Sequence, residues 1–294
     1  MGRSGTVSEM DAIPDLESGG LAGRLGYGAG GRLLILTADL LGMCHSANVG
    51  VYDSLRSGAA TGASLMVPGP WAREAASYYR GEPVGVHLTL NAEFNCYRWR
   101  PITQAPSLLD GDGGFPRTVE DLWDHADVDE TRLECRSQLE RAILWGFDVS
   151  HLSTHLGALQ NRPELFDVYL ELAVDFQLPI RLEGAVAQSG AGFPFRDLAA
   201  AEGVLTVDHY RMRRLPEPTE VEQAIRDLAT GVTEISIEPA VDTPELRAVD
   251  ERWSYRVDHH DLACDEGLIA AVVDAGGVLI SWRDVRDVQR AGGS

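Results

Sequence analysis

Basic side chains are under-represented in this 294-residue chain: 25 Lys and Arg stand against 45 Asp and Glu, a formal charge of -20. Such a surface repels phosphate backbones, which argues against nucleic acid as a general partner but leaves room for a local basic pocket. Cysteine is scarce as well. Cys44, Cys96, Cys135 and Cys264 are widely separated and form no CxxC pair. A disulfide scaffold or thiolate zinc site is therefore not expected, and a reducing cytoplasm is the simplest location. No apolar stretch has the length and purity of a membrane helix, so no membrane partner is expected. The first residues lack the pattern of a signal peptide, and the glycine-rich segment 1–31 reads as a flexible tail. Nucleophile and nucleotide signatures are missing too. Ser64, Ser153, Ser189 and Ser281 sit in no nucleophile elbow, and GYGAGG at Gly26–Gly31 has neither a preceding strand nor a phosphate-binding lysine.

What is present is a strong alternation of elements. RLLILTA (Arg32–Ala38) is a contiguous apolar run of the kind that forms a buried parallel strand. SANVGVYDSLRSG then reads as a helix, ATGASLMV as a strand, WAREAASYYRG as a helix and PVGVHLTLNAEF as a third strand. Residues 91–127 lose periodicity and read as a long excursion, a length that compact domains tolerate mainly where it lines a site or an interface. DVDETRLECRSQLERAILWG follows as an amphipathic helix with Leu133, Leu139, Ile143 and Leu144 at its apolar positions. FDVSHLSTHLG reads as a strand and the loop leaving it. About seven strands alternate with helices without an internal repeat, which defines an α/β chain with one barrel-like (β/α) domain over 32–294; two subdomains remain an alternative.

In such a barrel the carboxyl ends of the strands share one mouth. Asp39 ends the first strand, His87 lies in the third, His151 and His155 follow the next, and Glu238 ends EISIE. Two imidazoles and a carboxylate with an open position suit a divalent ion such as zinc, manganese or iron, which would activate water while a second carboxylate took its proton. Asp39 and Glu238 each suit either role, ligand or base. The HxxxH spacing of His151 and His155 serves a metal on a helix but not at a strand end. In the excursion, Tyr97 and Trp99 offer stacking surfaces and Arg98 a cation for substrate, or else the aromatics pack the loop or an oligomer interface. His45, next to Cys44, is a further candidate for substrate contact.

Taken together, ADLLGMCHSANVGVYDSLRSGAATGASLMVPGPW, VGVHLTL, SHLSTHLG and EPAVDTPELR resemble the YdjC-like carbohydrate deacetylase family over about Leu33 to Val288. The resemblance implies a deformed (β/α) barrel that removes acetyl groups from amino sugars with one divalent metal, zinc foremost and magnesium or manganese next. It implies Asp39 as general base, His87 and His155 as metal ligands and His151 as a neighbouring polar group; for the acid that protonates the leaving amine, His151 and protonated Glu238 are the alternatives. Three positions depart from the family pattern. Leu40 stands where a ligating aspartate is usual, Ser153 where an aspartate supports the site, and Glu238 where a histidine precedes proline. Three readings stay open: a metal-dependent acyl hydrolase in which Asp39 or Glu238 supplies the missing ligand, a metal-independent enzyme using Asp39 and Glu238, and a protein that binds carbohydrate or another small ligand without turnover. The substrate implied is a small molecule, an amino sugar or glycosylated metabolite, and the resemblance together with the aromatic excursion admits a homodimer.

Overall fold

A computed structural model of the chain describes residues 20–211 and 217–292. Most of the expected tail, residues 1–19, lies outside the described residues. From Gly20 to Arg24 the chain is a short helix with Leu21 and Ala22 buried, so the tail does not extend to residue 31.

Among the described residues seven parallel strands form one sheet: β1 (Arg32–Leu41), β2 (Gly62–Leu65), β3 (Val84–Leu88), β4 (Val149–Thr154), β5 (His209–Arg211), β6 (Gly231–Ile237) and β7 (Gly277–Leu279). Their order is β4-β3-β2-β1-β6-β5, with β7 also paired to β1. One edge of β1 is shared, its start (Arg32–Leu34) pairing with β7 and its end (Thr37–Leu41) with β2, while β6 follows the opposite edge from Arg32 to Ala38. Between β4 and β5 the ladder is reduced to a bridge from Leu152 to Ile180 and the bond from Ile180 N–H to Leu205 O at 3.0 Å. The sheet therefore curls into a half-barrel that does not fully close, as the deformed (β/α) barrel expectation requires.

Two-residue alternation explains what the curl encloses. On β1, Leu34 and Leu36 face an outer cluster with Ile225, Leu268 and Val272, while Leu33 and Ile35 face an inner one with Val232, Trp282 and Leu21. Each fully buried leucine or isoleucine contributes about 1.5–3 kcal/mol of transfer free energy. Continuing the inner parity brings Thr37 and then Asp39 inward above that apolar floor. On β6 the same parity carries Val232, Glu234 and Ser236 and reaches Glu238 just past the strand end. The interior is therefore apolar at the amino ends of the strands and polar at the carboxyl ends.

Helix 128–144 corrects the expected apolar face. Leu139 is buried, but Leu133, Ile143 and Leu144 are 52%, 45% and 78% exposed. Its inward face is instead Thr131, Glu134, Cys135, Gln138, Leu139 and Ala142. The reason lies in the excursion, whose only regular pieces are a 3-10 turn at Pro106–Leu108 and a helix at Val119–His125. Its backbone needs partners, and the Glu134 carboxylate accepts from Ile102 N–H (3.1 Å) and Thr103 N–H (2.9 Å). Gln138 pairs with both the N–H and the C=O of Thr89. Polar residues that read as a solvent face from sequence are the docking face.

Candidate active site at the carboxyl ends of the strands

A register shift between Ala38 and Leu41 interrupts β1 at Asp39 and Leu40, and Leu40 takes a left-handed conformation with φ 67°. For a non-glycine residue this costs about 1–3 kcal/mol, and bulges of this kind re-aim side chains beside active sites. Here the bulge lies next to Asp39, whose carboxylate is gripped by Arg181, Nη1 to Oδ2 at 2.7 Å and Nη2 to Oδ1 at 3.2 Å. The guanidinium also binds Glu234 through Nε (3.0 Å) and Nη2 (2.6 Å). Glu234 in turn accepts from Thr37 Oγ1 at 2.6 Å and Trp282 Nε1 at 2.9 Å. Burial pushes the Asp39 carboxyl up, but Arg181, then His87, then the hydroxyl of Ser64 outweigh it and hold it below the ordinary carboxylate range.

The imidazoles stand in a row. His87 Nδ1 meets Ser153 Oγ at 2.7 Å, His155 Nδ1 faces His87 Nε2 at 3.3 Å, and His155 Nε2 meets Glu93 Oε2 at 2.9 Å. Burial pulls His87 down to about 3, so it is neutral at physiological pH. Burial raises Glu93, but the charge and hydrogen bond of His155 bring it down to about 2, so it is ionised. Trp99 packs edge-on against His155 with centroids 6.4 Å apart and is itself buried, its Nε1 donating to Asn91 O at 2.8 Å. Across the mouth Glu238, with 22% of its side chain exposed, pairs with Arg256 Nη1 at 2.5 Å, and Arg256 Nε binds Asp250 at 2.6 Å.

The remaining expected site residues fall at different depths. His151 lies inside β4 rather than after it, fully buried below Asp39, its Nε2 3.2 Å from Ser64 Oγ and its ring stacked on Trp282 at 4.8 Å. His45 pairs with Glu74 at 2.9 Å and lies against Trp71 at the rim. Tyr97 donates to Met43 O at 2.8 Å and meets Trp99 edge-on, which makes it a wall behind the site. Arg98 is bound to Asp110 and donates to Phe115 O at 2.6 Å, so its charge serves the excursion. Sequence reasoning missed Arg181, Glu93, Glu234 and Arg256. Arg181 and Glu234 carried a usable signal, since each interrupts a short apolar strand run, PIRL and EISI. Glu93 and Arg256 had none, because only long-range packing brings them to the mouth.

The donor set does not fit a resident divalent metal. Among the described residues no three His, Cys, Asp or Glu side chains converge as a ligand set. His87 and His155 offer two nitrogens. Leu40 supplies no donor, and the guanidinium cation of Arg181 already lies against both oxygens of Asp39, where a second cation would be repelled.

A half-barrel of parallel strands with carboxylates, imidazoles and paired guanidinium ions at its carboxyl ends is a deformed (β/α) barrel whose polar groups gather at one mouth. The model of the YdjC-like protein family matches residues 33–271, and the chain belongs to that family. A carbohydrate deacetylase of Thermus thermophilus is 36% identical over 273 residues, covering 90% of this chain and 97% of that protein. One from Geobacillus stearothermophilus is 29% identical over 261 residues, covering 86% and 98%. The fold is shared with an Enterococcus faecalis protein described as a candidate cellobiose-phosphate cleavage protein, with TM-score 0.75, 21% identity and coverage of 87% and 99%. Among the described residues no helix is long and apolar enough to cross a membrane.

Proposed function

We propose that the chain is a cytoplasmic hydrolase that removes an acetyl or other acyl group from an amino sugar or related small metabolite, using acid–base groups rather than a resident metal. The observation that carries this reading is the bidentate grip of Arg181 on Asp39, beside two imidazoles that lack a third donor. Its relatives named as carbohydrate deacetylases support the substrate class.

In this reading Asp39 accepts the proton of the attacking water, and Arg181 keeps the carboxylate ionised and oriented. Glu238 already commits its charge to Arg256, so it is a second anion and not the proton donor. It accepts a hydrogen bond from the substrate and sets its pose. His155, between the Glu93 carboxylate and neutral His87, gives a proton to the leaving nitrogen as the C–N bond breaks, and the proton that Asp39 took from water returns through solvent to restore both groups. Trp99 closes the site behind His155 and keeps bulk water from it.

The test is acetate release from N,N′-diacetylchitobiose by protein stripped with a chelator. Turnover should be unchanged by stripping and should fall at least about 100-fold in Asp39→Asn, the scale of general-base catalysis. Glu238→Gln should chiefly raise KM. Strong recovery of stripped protein on adding zinc would end this reading.

A further inference from the structure

A second cleft lies at the amino ends of the strands, on the face opposite the candidate active site. Arg24 precedes β1, Thr206 precedes β5, Gln177 follows helix 163–175 and Arg290 lies near the end of helix 282–292, and all four line one cavity of about 460 Å³. That volume falls within the range of small-molecule sites. The cleft opens beside the thinned ladder between β4 and β5, where its wall residue Leu205 accepts from Ile180 N–H.

Most polar groups of the cleft are donors. Gln289, 8% exposed, holds its amide oxygen 2.7 Å from Leu205 N. A backbone N–H only donates, so the oxygen is the atom bound there and the NH2 is left over, without an acceptor among the described residues. Thr206 Oγ1 is buried and has no partner either. Arg24 is exposed and makes no hydrogen bond or ion pair among the described residues. Arg290 donates to Phe176 O and Gln177 O, both at 3.3 Å, which holds its guanidinium at the wall. Among the described residues that line the cleft Glu202 is the only acid, so the cleft is locally positive in a chain of formal charge -20.

We infer that this cleft is a second binding site, for a small phosphorylated metabolite. A phosphate monoester presents three acceptor oxygens and a charge of about -1.5 to -2 at neutral pH. That suits two guanidinium ions, an amide NH2 and a hydroxyl, whereas a carboxylate has only two oxygens for the same donors. Val174 and Val204 give the uncharged body of the ligand an apolar wall. Glu202 opposes a second anionic group, which restricts the ligand to a single charged end. The Thr206 hydroxyl carries an uncompensated desolvation cost that a phosphate oxygen relieves.

The test needs no turnover and is therefore independent of the function proposed above. Glucose 6-phosphate and inorganic phosphate are titrated calorimetrically into the full chain. Glucose 6-phosphate should bind at one site per chain and more tightly than inorganic phosphate. Arg24→Gln and Gln289→Glu should each weaken that binding at least about tenfold, the scale of a hydrogen bond to a charged group. Gln289→Glu keeps an oxygen for Leu205 N–H and replaces the donor by an anion. Thr206→Val, of nearly the same shape, should weaken binding while its thermal midpoint stays at or above the native one, because an unpaired buried hydroxyl is gone. Glu238→Gln, at the opposite face, should leave the affinity unchanged. No saturable binding of glucose 6-phosphate up to about 10 mM would overturn the inference. So would an affinity that survives both Arg24→Gln and Gln289→Glu, or one that falls in Glu238→Gln. Inorganic phosphate bound as tightly as the ester would mean an adventitious ion only and would overturn it too.

Discussion

Replacing Arg181 by methionine tests the central ion cluster directly. The guanidinium neutralises two carboxylates, 2.7 Å from Asp39 and 2.6 Å from Glu234, with 5%, 8% and 0% of the three side chains exposed. Methionine fills much of the volume but leaves two buried acids without their cation. Breaking one buried pair costs about 3–5 kcal/mol, and at least that is expected at pH 7 by urea unfolding. At about 2–4 °C per kcal/mol the thermal midpoint should drop on the order of 10 °C. The loss should also depend on pH. In the native protein the folded pKa of Asp39 is lowered, so its stabilisation is present above about pH 4 and fades as pH falls through the folded value. Without Arg181 burial dominates and the folded value moves above the unfolded one. The penalty is then full at neutral pH and disappears as acid protonates the carboxyl. Native and variant curves should therefore converge below about pH 4. A deficit under about 1 kcal/mol at pH 7, or one constant from pH 7 to 3, would refute this account of the cluster.

Glu93→Gln should flatten acid unfolding. Glu93, brought from 4.5 to about 2, lends stability that is full above about pH 4.5 and lost as pH falls towards 2, on the order of 3 kcal/mol by linkage. Circular dichroism followed from pH 5 to 2 checks it, and a native-like slope in the variant would count against the pair with His155. Trp99→Ala should cost about 3–5 kcal/mol in chemical denaturation, because the indole is buried against His155, Phe94 and Tyr97. A loss below about 1 kcal/mol would mean that the wall of the site is not packed as described. On helix 128–144, Leu144→Ser should change stability by no more than about 0.5 kcal/mol while Leu139→Ala costs about 2–5. The reverse order would restore the face expected from sequence.

Much of the fold is legible in local sequence pattern. The buried run of β1, the glycine-closed helices and the strand–helix alternation are local signals, and they point to a parallel sheet with Asp39, His87 and Glu238 at its carboxyl ends. The family resemblance located the departures at Leu40, Ser153 and Glu238. Local pattern failed where burial and polarity part company. Helix 128–144 turns Glu134 towards the backbone of the excursion and Gln138 towards that of Thr89, and nothing within the helix sequence announces those partners. His151 and His155, four residues apart, part company because β4 ends between them, leaving one inside the strand and the other just beyond its carboxyl end.

The sequence by itself determined the chemical inventory and the depth of each group along its strand, since alternation assigns parity and strand ends assign height. Which groups meet was decided by tertiary structure alone. Arg181 lies 142 residues from Asp39, and Glu93 lies 62 from His155. Charges so far apart in sequence are matched only when the curled sheet removes them from water, where each must find the other or remain uncompensated.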